Sequence, residues 1–81
     1  MSLHQEKRLR LEWRLTKGTV EAVCELWSLG TRFEARLVKA GVVILREEAS
    51  WEADLRRVHR GWRQDLETLG WTRELLVAKP V

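Results

Sequence analysis

Several arginines and one tryptophan in the first half of the chain could bind nucleic acid. A tryptophan ring can stack on an unpaired base and a guanidinium group can pair with a phosphate, so these residue types together favour single-stranded nucleic acid. The strand pattern described below brings four such residues onto one sheet face: Arg8, Trp27, Arg32 and Arg36. The competing interpretation is that Trp27 lies in a contact between two copies of the chain and that the arginines form surface ion pairs.

Residues suited to catalysis or metal binding are few. The chain has two histidines, His4 and His59, and one cysteine, Cys24, whereas a catalytic triad or a metal site needs several such groups at defined spacing. The adjacent acids Glu47 and Glu48 are a weak cation signal, and a solvated strand end is the simpler interpretation. The sequence therefore predicts a protein that is not an enzyme, with no catalytic residue, no metal and no cofactor.

Charge and cysteine content restrict the partners and the compartment. Fifteen basic residues are interspersed with twelve acidic ones, and a net charge of +3 is too mild to indicate nucleic-acid binding by itself. A single cysteine excludes an internal disulfide and is typical of a reducing cytoplasm. There is no apolar run long enough to span a membrane and no apolar core for a signal peptide. We therefore expect a cytoplasmic protein with no membrane partner.

Alternation of apolar and polar residues with period 2 predicts three antiparallel strands, at 8–16, 19–28 and 31–39. Two-residue turns at Lys17-Gly18 and Leu29-Gly30 would join them. The residues that this register turns toward the core are all apolar: Leu9, Leu11, Trp13, Leu15, Val20, Ala22, Cys24, Leu26, Phe33, Ala35 and Leu37. On the opposite face, the same register pairs Arg14 with Glu21, Arg10 with Glu25 and Arg8 with Trp27.

A fourth strand and a helix complete the predicted fold. Ala40-Gly41 indicates a third turn, followed by a strand at 42–47 with Ile44 facing the core. Ser50 is a candidate N-cap, and Gly70 suits the left-handed residue that ends a helix. Between them, apolar residues recur three or four positions apart: Trp51, Leu55, Val58, Trp62, Leu66 and Leu69. The predicted fold class is α+β, a four-stranded antiparallel β-meander followed by one long amphipathic helix packed on one sheet face.

The chain is expected to form a single domain, 1–81, with a frayed start at 1–7 and a tail at 72–81. Leu75, Leu76 and Val77 are too apolar for a loose tail, so they could form a short fifth strand on this sheet or on a neighbouring copy. The helix also raises two smaller questions. Arg56, Arg60 and Arg63 could contact phosphates, although a solvated face is the simpler interpretation, and Gly61 could make room for the ring of Trp62.

One helix covers only one face of a sheet, so the outer face should carry a further contact. The apolar residues predicted on that outer face are Val23, Trp27, Val38, Val43 and Leu45. The tail, a second copy or a different ligand could cover them. We favour a second copy, with Leu75 and Val77 added to the candidate interface.

Two resemblances accompany this interpretation. The strand order β-β-β-β-α resembles that of the whirly and related single-stranded DNA-binding proteins, which act as dimers, and this resemblance covers strand order alone. The segment from Leu66 to Trp71 resembles the helix ends of small bacterial proteins, which implies a bacterial source and no activity. The predicted function is a small binding or assembly module that forms a homodimer or binds another protein. The alternative is a dimeric single-stranded nucleic-acid-binding protein that uses the outer sheet face.

Overall fold

A computed structural model describes residues 6–73. The predicted strand at 75–77 and the first five residues lie outside the described residues, so the contacts expected of Leu75 and Val77 stay predictions. No helix within 6–73 is long and apolar enough to cross a membrane.

The described residues form a five-stranded antiparallel sheet with one helix packed against it. In chain order the elements are β1 (Lys7–Lys17), β2 (Val20–Ser28), β3 (Phe33–Lys39), β4 (Val42–Ala49), a 3₁₀ helix (Glu52–Asp54), α1 (Leu55–Thr68) and β5 (Thr72–Arg73). The strand order across the sheet is β4-β3-β2-β1-β5. This confirms the α+β meander with its single helix and short fifth strand. That strand pairs Thr72 and Arg73 with Thr16 and Leu15 of β1.

The first hairpin turns one residue later than predicted. Its turn is Gly18-Thr19, with Lys17 opposite Val20 and Leu15 opposite Ala22 instead of Val20. Gly18 has a φ of 61° at the first central position, as in the type II′ turns whose twist suits a hairpin. The pairing is shifted by two residues, and a shift of two leaves every side chain on its predicted face. The inward direction of Leu15 and Ala22 is therefore correct although the register was wrong.

Two irregularities then change the faces of the first half of β1. The register shifts between Leu11 and Trp13 and again between Arg8 and Arg10. Each shift inserts one unpaired residue, so the side chains beyond it lie on the opposite face of the sheet. Leu11 consequently lies opposite Glu25, a residue of the outer face, and both Leu9 and Leu11 are exposed. Their prediction as core residues was wrong. The second shift restores the predicted pairing of Arg8 with Trp27.

The second hairpin closes with a longer loop than predicted. Residues 29–32 connect β2 to β3, and the amide of Leu29 donates to the carbonyl of Arg32 at 2.8 Å. Leu26 pairs with Ala35 and Cys24 with Leu37, again a shift of two that keeps these residues in the core.

The third hairpin has the predicted turn but a different register beyond it. Ala40 and Gly41 have φ of 50° and 80°, as both central residues of a type I′ turn require. Val38 pairs with Val43, but Leu37 then pairs with Leu45, so Ile44 is an inserted residue. Ile44 was predicted opposite Leu37, and Leu45 takes that position. The prediction of Leu45 on the outer face was therefore wrong.

The helix packs on two adjoining clusters of buried residues. The first contains Leu15, Ala22, Leu37 and Trp71, and the second contains Leu26, Ala35 and Leu55. Trp62 of α1 packs against both clusters and so joins them. The indole N–H of Trp13 donates to the carbonyl of His59 at 2.9 Å, which fixes the helix to β1.

The end of α1 is as predicted and its beginning is not. Gly70 has a φ of 96°, and the amides of Gly70 and Trp71 donate to the carbonyls of Glu67 and Leu66, which is the bonding of a Schellman motif. Trp71 is buried by this return of the chain, whereas Leu69 is exposed.

At the other end, α1 begins only at Leu55, after the 3₁₀ helix, with Asp54 rather than Ser50 at the N-cap. Trp51 therefore lies outside the α-helical repeat and is 71% exposed, so its prediction as a core residue was wrong. A β-carbon at Gly61 would meet no described atom within 4 Å outside its two chain neighbours and its own helix backbone, so no close approach of the sheet explains this glycine. That Gly61 makes room for the ring of Trp62 stays a prediction.

The left-handed conformation of Ala40 gives a stability prediction. An L-residue other than glycine or asparagine is strained at this φ by about 1–2 kcal/mol. Replacing Ala40 with asparagine should raise the free energy of unfolding by about 0.5–1 kcal/mol, seen as a Tm several degrees higher. Ala40→Val is the matched control and should lower the Tm, since a β-branched residue tolerates this φ least. Equal Tm values for the three proteins would contradict the turn geometry.

Candidate functional site

The outer sheet face is centred on the ring of Trp27. Its indole N–H donates to Oε1 of Glu25 at 3.0 Å. The guanidinium carbon of Arg36 lies 4.0 Å from the ring centroid, which is a close cation–π contact. One face of the ring is thus already covered by a cation. A base stacking there would have to displace Arg36.

A buried ion pair lies beside this ring. Glu34 and Arg36 on β3 are 4% and 7% exposed, and the Nε of Arg36 donates to the Glu34 carboxylate. Arg36 also contacts Glu6 at 3.4 Å, and Arg46 approaches Glu34 at 3.8 Å. Burial disfavours the charge of Arg36, but the two glutamates outweigh it and raise the pKa of its guanidinium above the ordinary value. The network therefore keeps two charges stable in a nearly water-free position.

The candidate nucleic-acid-binding arginines all pair with glutamates. Arg8 lies 3.3 Å from Glu25 and Arg32 lies 3.2 Å from Glu48, while Arg36 pairs with Glu34. The structure brings Arg8, Trp27 and Arg36 together around Glu25, whereas Arg32 is bound toward β4.

The other predicted outer-face pairs differ in outcome. Arg14 contacts Glu21 at 3.4 Å, as predicted. Arg10 does not pair with Glu25 but with Glu12 and Glu52, because the bulges in β1 redirect it.

The apolar residues predicted on the outer face form a short row. Val23 on β2, Val38 on β3 and Val43 on β4 lie opposite one another across the three strands. Val23 is already buried, while Val38, Val43 and Trp27 are half-buried. Little apolar surface is therefore left uncovered on this face.

The exposed edge of the sheet was not predicted from the sequence. Among the described residues, β4 is the last strand of the sheet on its side. Val42, Ile44 and Leu45 are 62%, 48% and 45% exposed there. The uninterrupted apolar run at 42–45 was a usable signal, because a strand covered on only one side should alternate.

A second polar surface lies between β1 and α1. Nε2 of His59 is 3.6 Å from Glu12, and Arg10, Arg60 and Arg63 line the same depression. Burial, assisted by these three arginines, lowers the pKa of His59 and outweighs the opposing effect of Glu12. The histidine is accordingly neutral at pH 7.

The only thiol has no reactive environment. Cys24 is fully buried beneath the helix, and burial together with Glu12 and Glu25 raises its pKa to about 12. It acts as a small apolar core residue, as the sequence predicts. Among residues 6–73, no group of histidine, cysteine or acidic side chains could hold a metal ion.

No protein-family model matches the sequence, no curated protein matches it, and no solved structure matches the fold. The function has to be inferred from these surfaces.

Removing one partner of the buried ion pair should be costly. Glu34→Ala leaves Arg36 buried with only Glu6 beside it, so the free energy of unfolding should fall by about 2–3 kcal/mol in urea melts. Glu48→Ala is the matched control, since it removes an exposed partner of Arg32 and should cost less than about 1 kcal/mol. Equal losses in the two variants would mean that the buried pair has no special role.

The lowered pKa of His59 predicts a loss of stability in mild acid. The unfolded chain takes up a proton near pH 6.5, whereas the folded protein does so only at lower pH. The contribution is therefore complete above pH 6.5 and is lost as the pH falls through the folded pKa. Urea melts at pH 7.5, 6.5 and 5.5 should show this loss, and His59→Gln should reduce it. His4→Gln, which removes the other histidine of the chain, serves for comparison. A parent-like loss in His59→Gln would refute the assignment.

Proposed function

We propose that this protein is a small, non-enzymatic assembly module that forms a homodimer through the edge of its sheet. The observation that carries the proposal is the exposed apolar run at 42–45 on edge strand β4. We place the protein in the cytoplasm, which suits its single, unreactive thiol.

An edge strand presents unpaired backbone N–H and C=O groups, and natural proteins usually protect it with charges, prolines or bulges. The second half of β4 is protected by Arg46, Glu47 and Glu48, whereas the first half has only the bulge at Ile44. The first half has no charged side chain. Self-pairing is therefore favoured at 42–45, where a two-fold axis would bring the same apolar residues of both copies together.

The sheet edge is a better candidate for the dimer interface than the outer face, which was the interface predicted from the sequence. Val23 is already buried there, and the charged network around Arg36 and Glu34 is satisfied within one copy. Docking a second copy on this face would bury those charges further without adding partners for them. At the edge, association would instead remove apolar side chains from water and pair free backbone groups.

The alternative function, single-stranded nucleic-acid binding by the outer face, stays a prediction. Binding through Arg8, Arg32 and Arg36 would exchange carboxylate contacts for phosphate contacts, with small net gain. No observation on that face favours it.

Size-exclusion chromatography with light scattering tests the proposed dimer. The parent protein should be a dimer over a dilution series and at high salt, because an apolar interface is little screened. Ile44→Lys should give monomers, since it places a charge in the centre of the edge.

Leu69→Lys is the matched control, because Leu69 is equally apolar and exposed but lies at the end of α1. It should leave the dimer intact. A monomeric parent protein, or a dimer that survives Ile44→Lys, would overturn the proposal.

A further inference from the structure

The arginines near the start of α1 differ from those of the sheet. Arg56, Arg57 and Arg60 are exposed and make no ion pair with any other residue in the range 6–73. Several sheet arginines, by contrast, each contact at least one glutamate: Arg8, Arg10, Arg14, Arg32 and Arg36. Three arginines without a carboxylate partner in this range therefore lie together at the start of α1.

Two adjoining surface depressions share these side chains. One lies between β1 and α1, where Arg56 and Arg60 are joined by Arg10 and Arg63 and by a single carboxylate, that of Glu12. The other lies along the start of the helix and adds Arg57. At 1.5 Å per residue, Arg56, Arg60 and Arg63 follow about 10 Å of the helix axis. An extended anion could contact several guanidinium groups at once.

The position of Arg56 and Arg57 is unfavourable for helix stability. Both lie in the first turn of α1, which contains no acidic residue, and the one carboxylate in their depression is that of Asp54 at the N-cap. The positive end of the helix dipole lies at this turn, so a cation there is destabilising. The positive potential of the two arginines adds to that of the dipole. A residue choice that works against local stability is typical of a binding surface.

The depression beside β1 also contains an unsatisfied donor. Nε of Arg63 is buried without a hydrogen-bond partner within the described residues. Its nearest carboxylate oxygen, on Glu67, is 3.6 Å away, which is too long for a hydrogen bond. A buried donor of this kind normally has a partner, and an anionic oxygen would supply one.

An exposed aromatic residue lies at the same end of the helix. Trp51, at 71% exposure, precedes the 3₁₀ helix that leads directly into α1. Burial in the core does not explain it, and an exposed tryptophan ring is suited to stacking on an unpaired base.

We propose that the start of α1, together with Trp51, binds single-stranded nucleic acid. The arginines Arg56, Arg57 and Arg60 contact the phosphodiester backbone, and Trp51 stacks on a base. Guanidinium forks match phosphate oxygens in pairs, which favours this ligand over a simple acidic surface. A membrane fits less well, because the apolar stripe of α1 is packed on the sheet and cannot insert into lipid.

Fluorescence anisotropy with a labelled oligo(dT) strand tests the proposal. The parent protein should bind, with an affinity that falls as salt rises. The double variant Arg56→Ala/Arg60→Ala should lose at least tenfold in affinity, and the slope of log affinity against log salt should decrease by about 0.7 for each contact removed. Trp51→Ala should weaken binding at least fivefold and leave the slope unchanged.

The matched control removes two glutamate-paired arginines outside the helix, Arg8 of β1 and Arg32 of the loop before β3. Arg8→Ala/Arg32→Ala makes the same change in net charge and should leave affinity and slope as in the parent protein. Loss of binding in this variant but not in the helix variant would overturn the proposal, as would failure of the parent protein to bind oligo(dT). Binding to phosphatidylserine vesicles in place of oligo(dT) would assign the surface to a membrane.

This surface is separate from the proposed dimer interface, and the two proposals fail separately. Ile44→Lys tests the dimer in light scattering. In the anisotropy titration, the slope of log affinity against log salt for this variant, calculated per monomer, should equal that of the parent protein. The helix variants should remain dimeric. Circular dichroism melts should show all of these variants folded, because each substituted side chain is exposed.

Discussion

One helix can cover only one face of a sheet, and this constraint determines where each polar group of the protein lies. On the covered face, Trp62 joins two apolar clusters and the Schellman motif returns Trp71 onto them. The uncovered face cannot be apolar to the same extent without exposing a large patch. It is instead covered by long charged side chains, whose stems shield the strands while their heads pair with one another.

The Glu34–Arg36 pair lies at the centre of the charged side chains that cover the outer face. A buried ion pair adds little stability compared with apolar residues of similar size, but either charge alone would be costly. The guanidinium of Arg36 packs on the ring of Trp27. Glu6 makes a second ion pair with Arg36, and Arg46 makes one with Glu34. The outer face therefore depends on mutual pairing, which makes it a self-contained surface. The same constraint leaves residues 42–45 of β4 exposed, since the described chain supplies no further strand beyond β4.

The sequence predicts the strands, the helix and their order, because period 2 and period 3.6 patterns depend only on which face is buried. It also predicts the inward direction of Leu15, Cys24 and Leu26, since the errors in both hairpin registers were shifts of two. It cannot predict the bulges, because an inserted residue changes the face of Leu11 and Leu45 without altering the local pattern. Trp51 illustrates the same limit for the helix. Its spacing to Leu55 fits an α-helix, but the chain is 3₁₀-helical between them.

For the candidate site, the sequence likewise shows which residues are arginines but not which of them are paired with a carboxylate. Arginine occurs on both the sheet and the helix, so the residue type alone does not show which arginines have a carboxylate partner. Only the folded chain shows that cross-strand and diagonal glutamates neutralise the sheet arginines, while those at the start of α1 have no carboxylate partner among the described residues. An arginine that is already paired stabilises its own fold, and binding an anion would cost it that pair. An exposed arginine without a partner loses nothing when an anion arrives, and at a helix start it gains from being neutralised. Binding is therefore assigned to the helix rather than to the sheet because a sheet arginine must first break its ion pair with a glutamate, whereas Arg56, Arg57 and Arg60 have no such pair to break within residues 6–73.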